Sequence, residues 1–321
     1  MEIHMRRTLP LLAFLAFACA DSTTPTAPAT STASFSSGSG SEYGDRDGER
    51  RGDRKRDFTI YAVDDQNFLV KFDSDSPDEA RRTPIVGTDG NVVGIDFRPN
   101  DQTADGIDNT GKLYGVTRGS RIYIINPDNG VATLQSQMTI PLVGNFFGQG
   151  FNPVVDRLRH HSDQEQNLRN NVDNGATIMD PPLAYATGDR NFGRNPNIVG
   201  TGYTNSVTPA PISTELYAID ANQDVLVELP MPNNGQLFTV GRLKFDTDDN
   251  VGFDIPGRDD SRAYATLTAP GSSQSRLFRV DLDSGKAKSL GRVGNPRPLV
   301  TMAVRDRDGD GDSDRNGDDG R

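Results

Sequence analysis

The chain has 321 residues, one cysteine, no tryptophan, and 45 acidic against 34 basic residues, for a formal net charge of −11 at pH 7. A charge of that sign opposes binding to nucleic acid or to anionic membrane surfaces and favours solubility. The lone cysteine excludes an internal disulfide framework, and three histidines, two of them adjacent, exclude multi-histidine metal centres.

In chain order, the first feature is Arg6-Arg7 followed by an apolar run from Leu9 to Ala18. That length suits an export signal over residues 1–18 and is too short to span a bilayer. The pair of arginines lacks the rest of a twin-arginine pattern, which points to general secretion. Cys19 stands directly after Ala16-Phe17-Ala18. The arrangement resembles a bacterial lipobox, in which the cysteine is lipidated and becomes the new N-terminus. Ala16 and Phe17 depart from that pattern, and ordinary cleavage near the same point is the alternative. The expected location is the cell envelope (outer membrane or periplasm), or else secretion. Residues 19–57 are poor in apolar side chains and read as a disordered tether, with an r.m.s. span of roughly 30–35 Å.

From Phe58 onward a four-part phrase repeats. Val93-Gly94-Ile95-Asp96-Phe97, Leu113-Tyr114-Gly115-Val116 and Arg121-Ile122-Tyr123-Ile124-Ile125 precede the turn Pro127-Asp128-Asn129-Gly130 and a strand from Val131. The same order returns from Val251-Gly252-Phe253-Asp254 through Asp283-Ser284-Gly285. Short β-branched and aromatic runs between Asp/Asn/Gly turns form strands, and four strands per unit at a fixed long period mark a β-propeller. First strands fall at Val92–Pro99, Gly148–Pro153, Ile198–Asn205, Asn250–Gly257 and Pro298–Arg305. The chain opens with the last three strands of a blade and closes with a lone first strand. The expected fold is therefore an all-β propeller over residues 58–305, of five blades (six being the alternative), closed by pairing of its N- and C-terminal strands. Closure of this kind protects sheet edges.

The end of the chain, residues 306–321, is an acidic Asp/Gly-rich tail. Asp306, Asp308, Asp310, Asp312 and Asp314 alternate as hard oxygen donors that suit calcium. The glutamate that completes an EF-hand loop is missing, so the expectation is either a looser calcium-binding repeat or a solvated acidic tail. No other cofactor is implied.

The stretch Gly150-Phe151-Asn152-Pro153-Val154-Val155-Asp156-Arg157-Leu158-Arg159, running on to Ser162-Asp163 and Gln166-Asn167-Leu168-Arg169, is distinctive. With Ile95-Asp96-Phe97-Arg98-Pro99 and Gly202-Tyr203-Thr204-Asn205, it resembles the bacterial DUF4394 family across most of Phe58–Val304. The resemblance implies exported or envelope proteins built from repeated β units, without an established activity and without catalytic residues to carry over. The chain departs from the family at Gly150, where Asp is usual, and at His160-His161, where apolar residues are usual.

Three sets of side chains stand out as candidate sites. Asp96 and Asp254 occupy equivalent steps of first strands, which line a propeller's channel; Gly150 and Gly202 stand at that step in two other blades. Two such carboxylates suit sugar hydrolysis or, alternatively, accept backbone N–H bonds within their own blades. Asp156, Arg157, Arg159, Asp163, Asn167 and Arg169 form the densest polar cluster. Their arginine forks suit an anionic or sugar-like ligand, the alternative being an ion-pair network between blades. His160 and His161 point to opposite strand faces and do not serve one site. Tyr61, Tyr114, Tyr217 and Tyr264 recur at one strand position and read as core. The leading expectation is a non-enzymatic, envelope-tethered monomer that binds an extracellular or periplasmic protein or small ligand, touching the membrane only through an N-terminal lipid. The alternative is a hydrolase acting on a carbohydrate-like polymer through Asp96 and Asp254.

Overall fold

The repeated phrases fold as short antiparallel strands because each alternates a residue packed toward one neighbouring blade with one packed toward the other. The computed structural model describes residues 58–257 and 262–306, the last by its backbone alone. The second blade is β4 (Val92–Phe97), β5 (Leu113–Thr117), β6 (Arg121–Ile125) and β7 (Ala132–Gln137), paired in that order. The third is β8 (Phe147–Asn152), β9 (Arg157–Ser162), β10 (Asn167–Asn170) and β11 (Thr177–Met179). The fourth runs β13 (Ile198–Tyr203), β14 (Leu216–Asp220), β15 (Val225–Glu228) and β16 (Gln236–Arg242), with β12 (Ala184–Tyr185) added in parallel to its outer edge. The fifth is β17 (Val251–Asp254), β18 (Arg262–Leu267), β19 (Arg276–Asp281) and β20 (Ala287–Arg292).

The first blade joins the two ends of the domain. Its outer strands are β1 (Phe58–Asp64), β2 (Phe68–Asp73) and β3 (Ser76–Pro84), and its inner strand is β21 (Leu299–Asp306), antiparallel to β1. Five blades closed by this clasp are the architecture that the repeat foretells. Among the described residues the one helical turn is a 3-10 turn at Pro232–Asn234. The outer strand β3 carries Asp78, Glu79, Arg81, Arg82 and two prolines, which discourages pairing with another chain at that edge.

Inner strands meet around the ring in the order β21, β4, β8, β13, β17 and back to β21. A repeated glycine sets how closely they approach. A Cβ on Gly94 would lie 2.3 Å from Gln149 Oε1, one on Gly148 2.3 Å from Thr201 Oγ1, and one on Gly252 2.6 Å from Met302 Cγ. Thr301 holds the fifth such position, and its hydroxyl accepts the Ile95 N–H at 3.2 Å. Each blade therefore seats its neighbour's inner strand at the same step. Five apolar clusters fill the sectors between, with Ile60, Ile95, Leu158, Val227 and Leu267 fully buried.

Candidate functional site

At each seam between blades one strand position packs onto the next blade. The register places Tyr61, Tyr114, Arg159, Tyr217 and Tyr264 at that position, opposite Ala303, Asp96, Gly150, Gly202 and Asp254 respectively. Tyr61 meets Phe97 at 5.3 Å between ring centroids, Tyr114 meets Phe151 at 5.4 Å, and Tyr264 meets Phe58 at 5.5 Å. Tyr217 packs against the cluster of Phe253 and Ile255 in the fifth blade. Tyr61, Tyr114 and Tyr264 are core, as the repetition implies, and Tyr217 is half-buried against it. Only the third blade breaks the series, with Arg159 in the tyrosine's place.

Arg159 is 3% exposed, and its guanidinium is committed throughout. Nε donates to Tyr203 Oη at 2.9 Å, across the seam to the fourth blade. Nη1 donates to Asn167 Oδ1 and to Asp180 Oδ2, and Nη2 to Asn233 Oδ1 at 2.6 Å. The Asp180 carboxylate also accepts from Arg169 Nε, at 3.0 and 3.2 Å. Asn167 Nδ2 donates to the Pro232 carbonyl at 2.9 Å, which fixes the 3-10 turn over the seam. Gly235 closes that turn at φ 68°, and a Cβ there would lie 2.4 Å from the Pro182 carbonyl oxygen.

These contacts leave a cavity of about 580 Å³ between the third and fourth blades, lined by Asn152, Val155, Arg157, Arg159, Arg169, Tyr203 and the segment Met231–Asn234. Its volume lies within the range of small-molecule sites, roughly 300–1,000 Å³. The three arginines singled out in the sequence meet here. Arg157 differs from the other two: Nη1 donates to the carbonyls of Val155 and Asp156, at 3.4 and 2.7 Å. Among the described residues no carboxylate lies within ion-pair distance of it. The sequence did not single out Tyr203, Met231, Asn233 or Asp180 for this site.

The remainder of the polar cluster disperses. Asp156 turns to the second blade, where Arg98, fully buried, donates Nε to its Oδ1 at 2.8 Å and Nη2 to its Oδ2. Arg98 also holds Asp173 through Nη1 and Nη2, both at 2.9 Å, and lies 3.1 Å from Asp101. The carboxylates of Asp101, Asp156 and Asp173 approach one another within 4.8 Å, and the guanidinium supplies the cation among them. Asp163 caps Asn145 on another loop at 2.8 Å. The cluster is thus partly an inter-blade ion network and partly the wall of a cavity.

Asp96 and Asp254 also meet, lining a second cavity of about 240 Å³ at one mouth of the ring. Asp96 Oδ1 accepts the Phe97 N–H at 2.7 Å, and Oδ2 accepts the Phe151 N–H of the third blade at 2.6 Å. Asp254 repeats the pattern with Ile255 and, across to the first blade, Val304, both at 2.7 Å. The expectation of bonds within each blade holds for one oxygen of each pair; the other oxygen staples the next inner strand. Burial and the charge of Asp254 push the Asp96 carboxyl well above the usual range, and burial pushes Asp254 up to about 7. The loop after β13 crosses this mouth: Thr208 Oγ1 donates to the Pro99 carbonyl at 2.5 Å, and Asn100 Nδ2 to the Val207 carbonyl at 2.6 Å.

His160 bonds Asn170 at 3.2 Å and His161 bonds Thr201 at 2.9 Å, on opposite sides of β9. Burial drives His160 down to about 4 and His161 further below its ordinary value, so both are neutral core groups at pH 7. Of the calcium candidates, Asp306 pairs its backbone with Phe58. Asp308, Asp310, Asp312, Asp314 and the lipidation candidate Cys19 lie outside the described residues.

The family model for the domain of unknown function DUF4394 matches residues 68–303. The chain belongs to that family. No curated protein matches it. Among solved structures, this DUF4394 protein is similar to a chain of a nidogen/laminin complex at 10% identity and TM-score 0.42, covering 77% of this chain and 98% of that one. A protein from Lactobacillus plantarum matches at 11% identity and TM-score 0.38, covering 78% and 100%. Hydrazine synthase from Kuenenia stuttgartiensis matches at 12% identity and TM-score 0.38, over 65% of this chain and 51% of that one. The DUF4394 chain thus spans about half the length of the hydrazine synthase chain. At such identity and superposition these neighbours bear on no activity, and the five-blade architecture rests on the strand pairing itself.

Proposed function

We propose that this chain is an exported, tethered binding module whose ligand seat is the cavity between the third and fourth blades, with an anionic group of the ligand held by Arg157. One observation carries the reading: Arg157 lines a cavity of about 580 Å³, and among the described residues no carboxylate neutralises it. A half-buried guanidinium without an acidic partner offers charge-assisted donors to carboxylate or phosphate oxygens. The position of the cavity supports the same reading, because it sits at the one seam where the tyrosine series is broken by Arg159. The basic-apolar start and Cys19 support export and lipid attachment, and with them a position in the bacterial envelope.

The alternative, hydrolysis through Asp96 and Asp254, draws on their shared cavity and raised pKa values. Acid–base cleavage sets a protonated carboxyl beside an ionised one that is free to reach substrate or water. Here every carboxylate oxygen of the pair already accepts a backbone N–H, and two of those bonds hold blades together.

The binding reading is tested by thermal shift of the full chain against sulfate, phosphate and acetate, with chloride as the ionic-strength control. Stabilisation by one of these anions that disappears in Arg157→Gln supports it. Equal shifts in the two proteins, or none at tens of millimolar, would remove it. Labelling with palmitate in a bacterial host, compared between the wild type and Cys19→Ser, tests the tether.

A further inference from the structure

The walls of the same cavity specify more than charge. Arg157 spends Nη1 on two carbonyls, so among the described residues the edge left without an acceptor is the Nε–Nη2 side of its fork. Two parallel N–H donors on that edge match the two oxygens of one carboxylate. Beside the fork the rim is apolar. Val155 is 50% exposed and Met231 is 58% exposed, both lining the cavity, and Pro232 continues the same wall. The wall is held in place: Asn167 bonds the Pro232 carbonyl and Arg159 bonds Asn233. A small hydrated oxyanion would pair with the fork and leave Val155 and Met231 in water. An organic acid covers both.

We infer that the cavity between the third and fourth blades takes a carboxylate carried on an apolar body, its oxygens on the Arg157 Nε–Nη2 edge and its body against Val155, Met231 and Pro232. The inference rests on the reading of this cavity as the anion seat and names the class of anion. Arg169 lines the same cavity with its Nε given to Asp180.

The test is a titration of the full chain by calorimetry and by one-dimensional ligand NMR with hexanoate, acetate, hexanamide and inorganic phosphate. Hexanoate binding at least tenfold tighter than either acetate or hexanamide is the expected result. Arg157→Gln then abolishes the hexanoate signal. Met231→Ser weakens hexanoate several-fold and leaves acetate unchanged. Both residues are on the rim, and an unaltered melting curve confirms that each variant is folded. Phosphate binding that depends on Arg157, with hexanoate no better than acetate, overturns the apolar-body inference and leaves the anion seat standing. Absence of any Arg157-dependent binding to the four probes overturns both.

Discussion

Arg159 of the third blade donates to the Tyr203 hydroxyl of the fourth at 2.9 Å, where three other seams place a tyrosine against a phenylalanine. The substitution turns an aromatic seam into a hydrogen-bonded one and brings Asn167, Asp180 and Asn233 into a single network around the guanidinium. Burying that charge is tolerable because its four hydrogen-bond partners are acceptors, one of them a carboxylate. Arg159→Ala leaves Asp180 to Arg169 alone and takes their charged partner from Tyr203 and Asn167, and a loss of about 1–3 kcal/mol is expected in chemical denaturation. The double variant Arg159→Tyr with Tyr203→Phe rebuilds the seam of the other blades and is expected to be clearly more stable than Arg159→Ala. Equal stability of the two would mean that the seam position does not govern blade packing.

Gly148 lies where β8 and β13 cross most closely, and a Cβ there would meet Thr201 Oγ1 at 2.3 Å and the Gly200 carbonyl carbon at 2.8 Å. Gly148→Ala forces two inner strands apart and is expected to cost about 1–3 kcal/mol. Gly90→Ala is the control, since nothing lies within 4 Å of its Cβ position. Melting curves of the two variants should separate clearly, with the control close to the wild type.

The blade repeat was legible in the sequence because every strand carries its own β-branched and aromatic phrase, and the out-of-phase ends dictated how the ring closes. The site was only partly legible. The arginines were visible as a polar cluster, but the turn that roofs them, Met231–Asn234, is more than sixty residues away in sequence, Asn233 being 74 positions from Arg159. The break at Arg159 was readable from alignment of the repeats; the cavity beside it was not. In the same way the equivalence of Asp96 and Asp254 was plain, whereas the partner of each second oxygen belongs to another blade, 55 positions on for Phe151 and 50 for Val304. Strand β12, two residues joined in parallel to an outer edge, carries no pattern long enough to read.

Arg98 is the cation of a nest that three carboxylates would otherwise make suitable for a metal. Arg98→Ala leaves Asp101, Asp156 and Asp173 facing one another, and a loss of about 3–5 kcal/mol is expected. Millimolar calcium should restore part of it by binding the vacated nest. The comparison protein is the chain truncated after Arg305, which isolates this response from any calcium effect of the acidic tail. If calcium raises the melting temperature of the truncated wild type and the truncated Arg98→Ala variant alike, the nest is not where it acts.

Asp96 and Asp254 reverse the usual pH dependence of buried carboxylates. Unfolded, each titrates near 4. Folded, burial and, for Asp96, the neighbouring Asp254 hold the pair protonated to higher pH, with Asp254 at about 7. From about pH 4 upward the unfolded chain has released protons that the folded chain keeps, so these two groups lower stability as pH rises, and the loss continues through pH 7 until the folded carboxyls ionise. Above that point two negative charges would share one small cavity at the ring mouth. Denaturant midpoints measured from pH 5 to pH 9 should fall through this window in the wild type. Asp254→Asn removes one titration and the whole of the mutual repulsion, leaving only the burial of Asp96, so its profile should be flatter. It also turns an acceptor into a donor, either at the Ile255 N–H or at the Val304 N–H, and is expected to cost about 1–3 kcal/mol at pH 5. A variant whose curve runs parallel to the wild type at every pH would show that the pair is not the source of the slope.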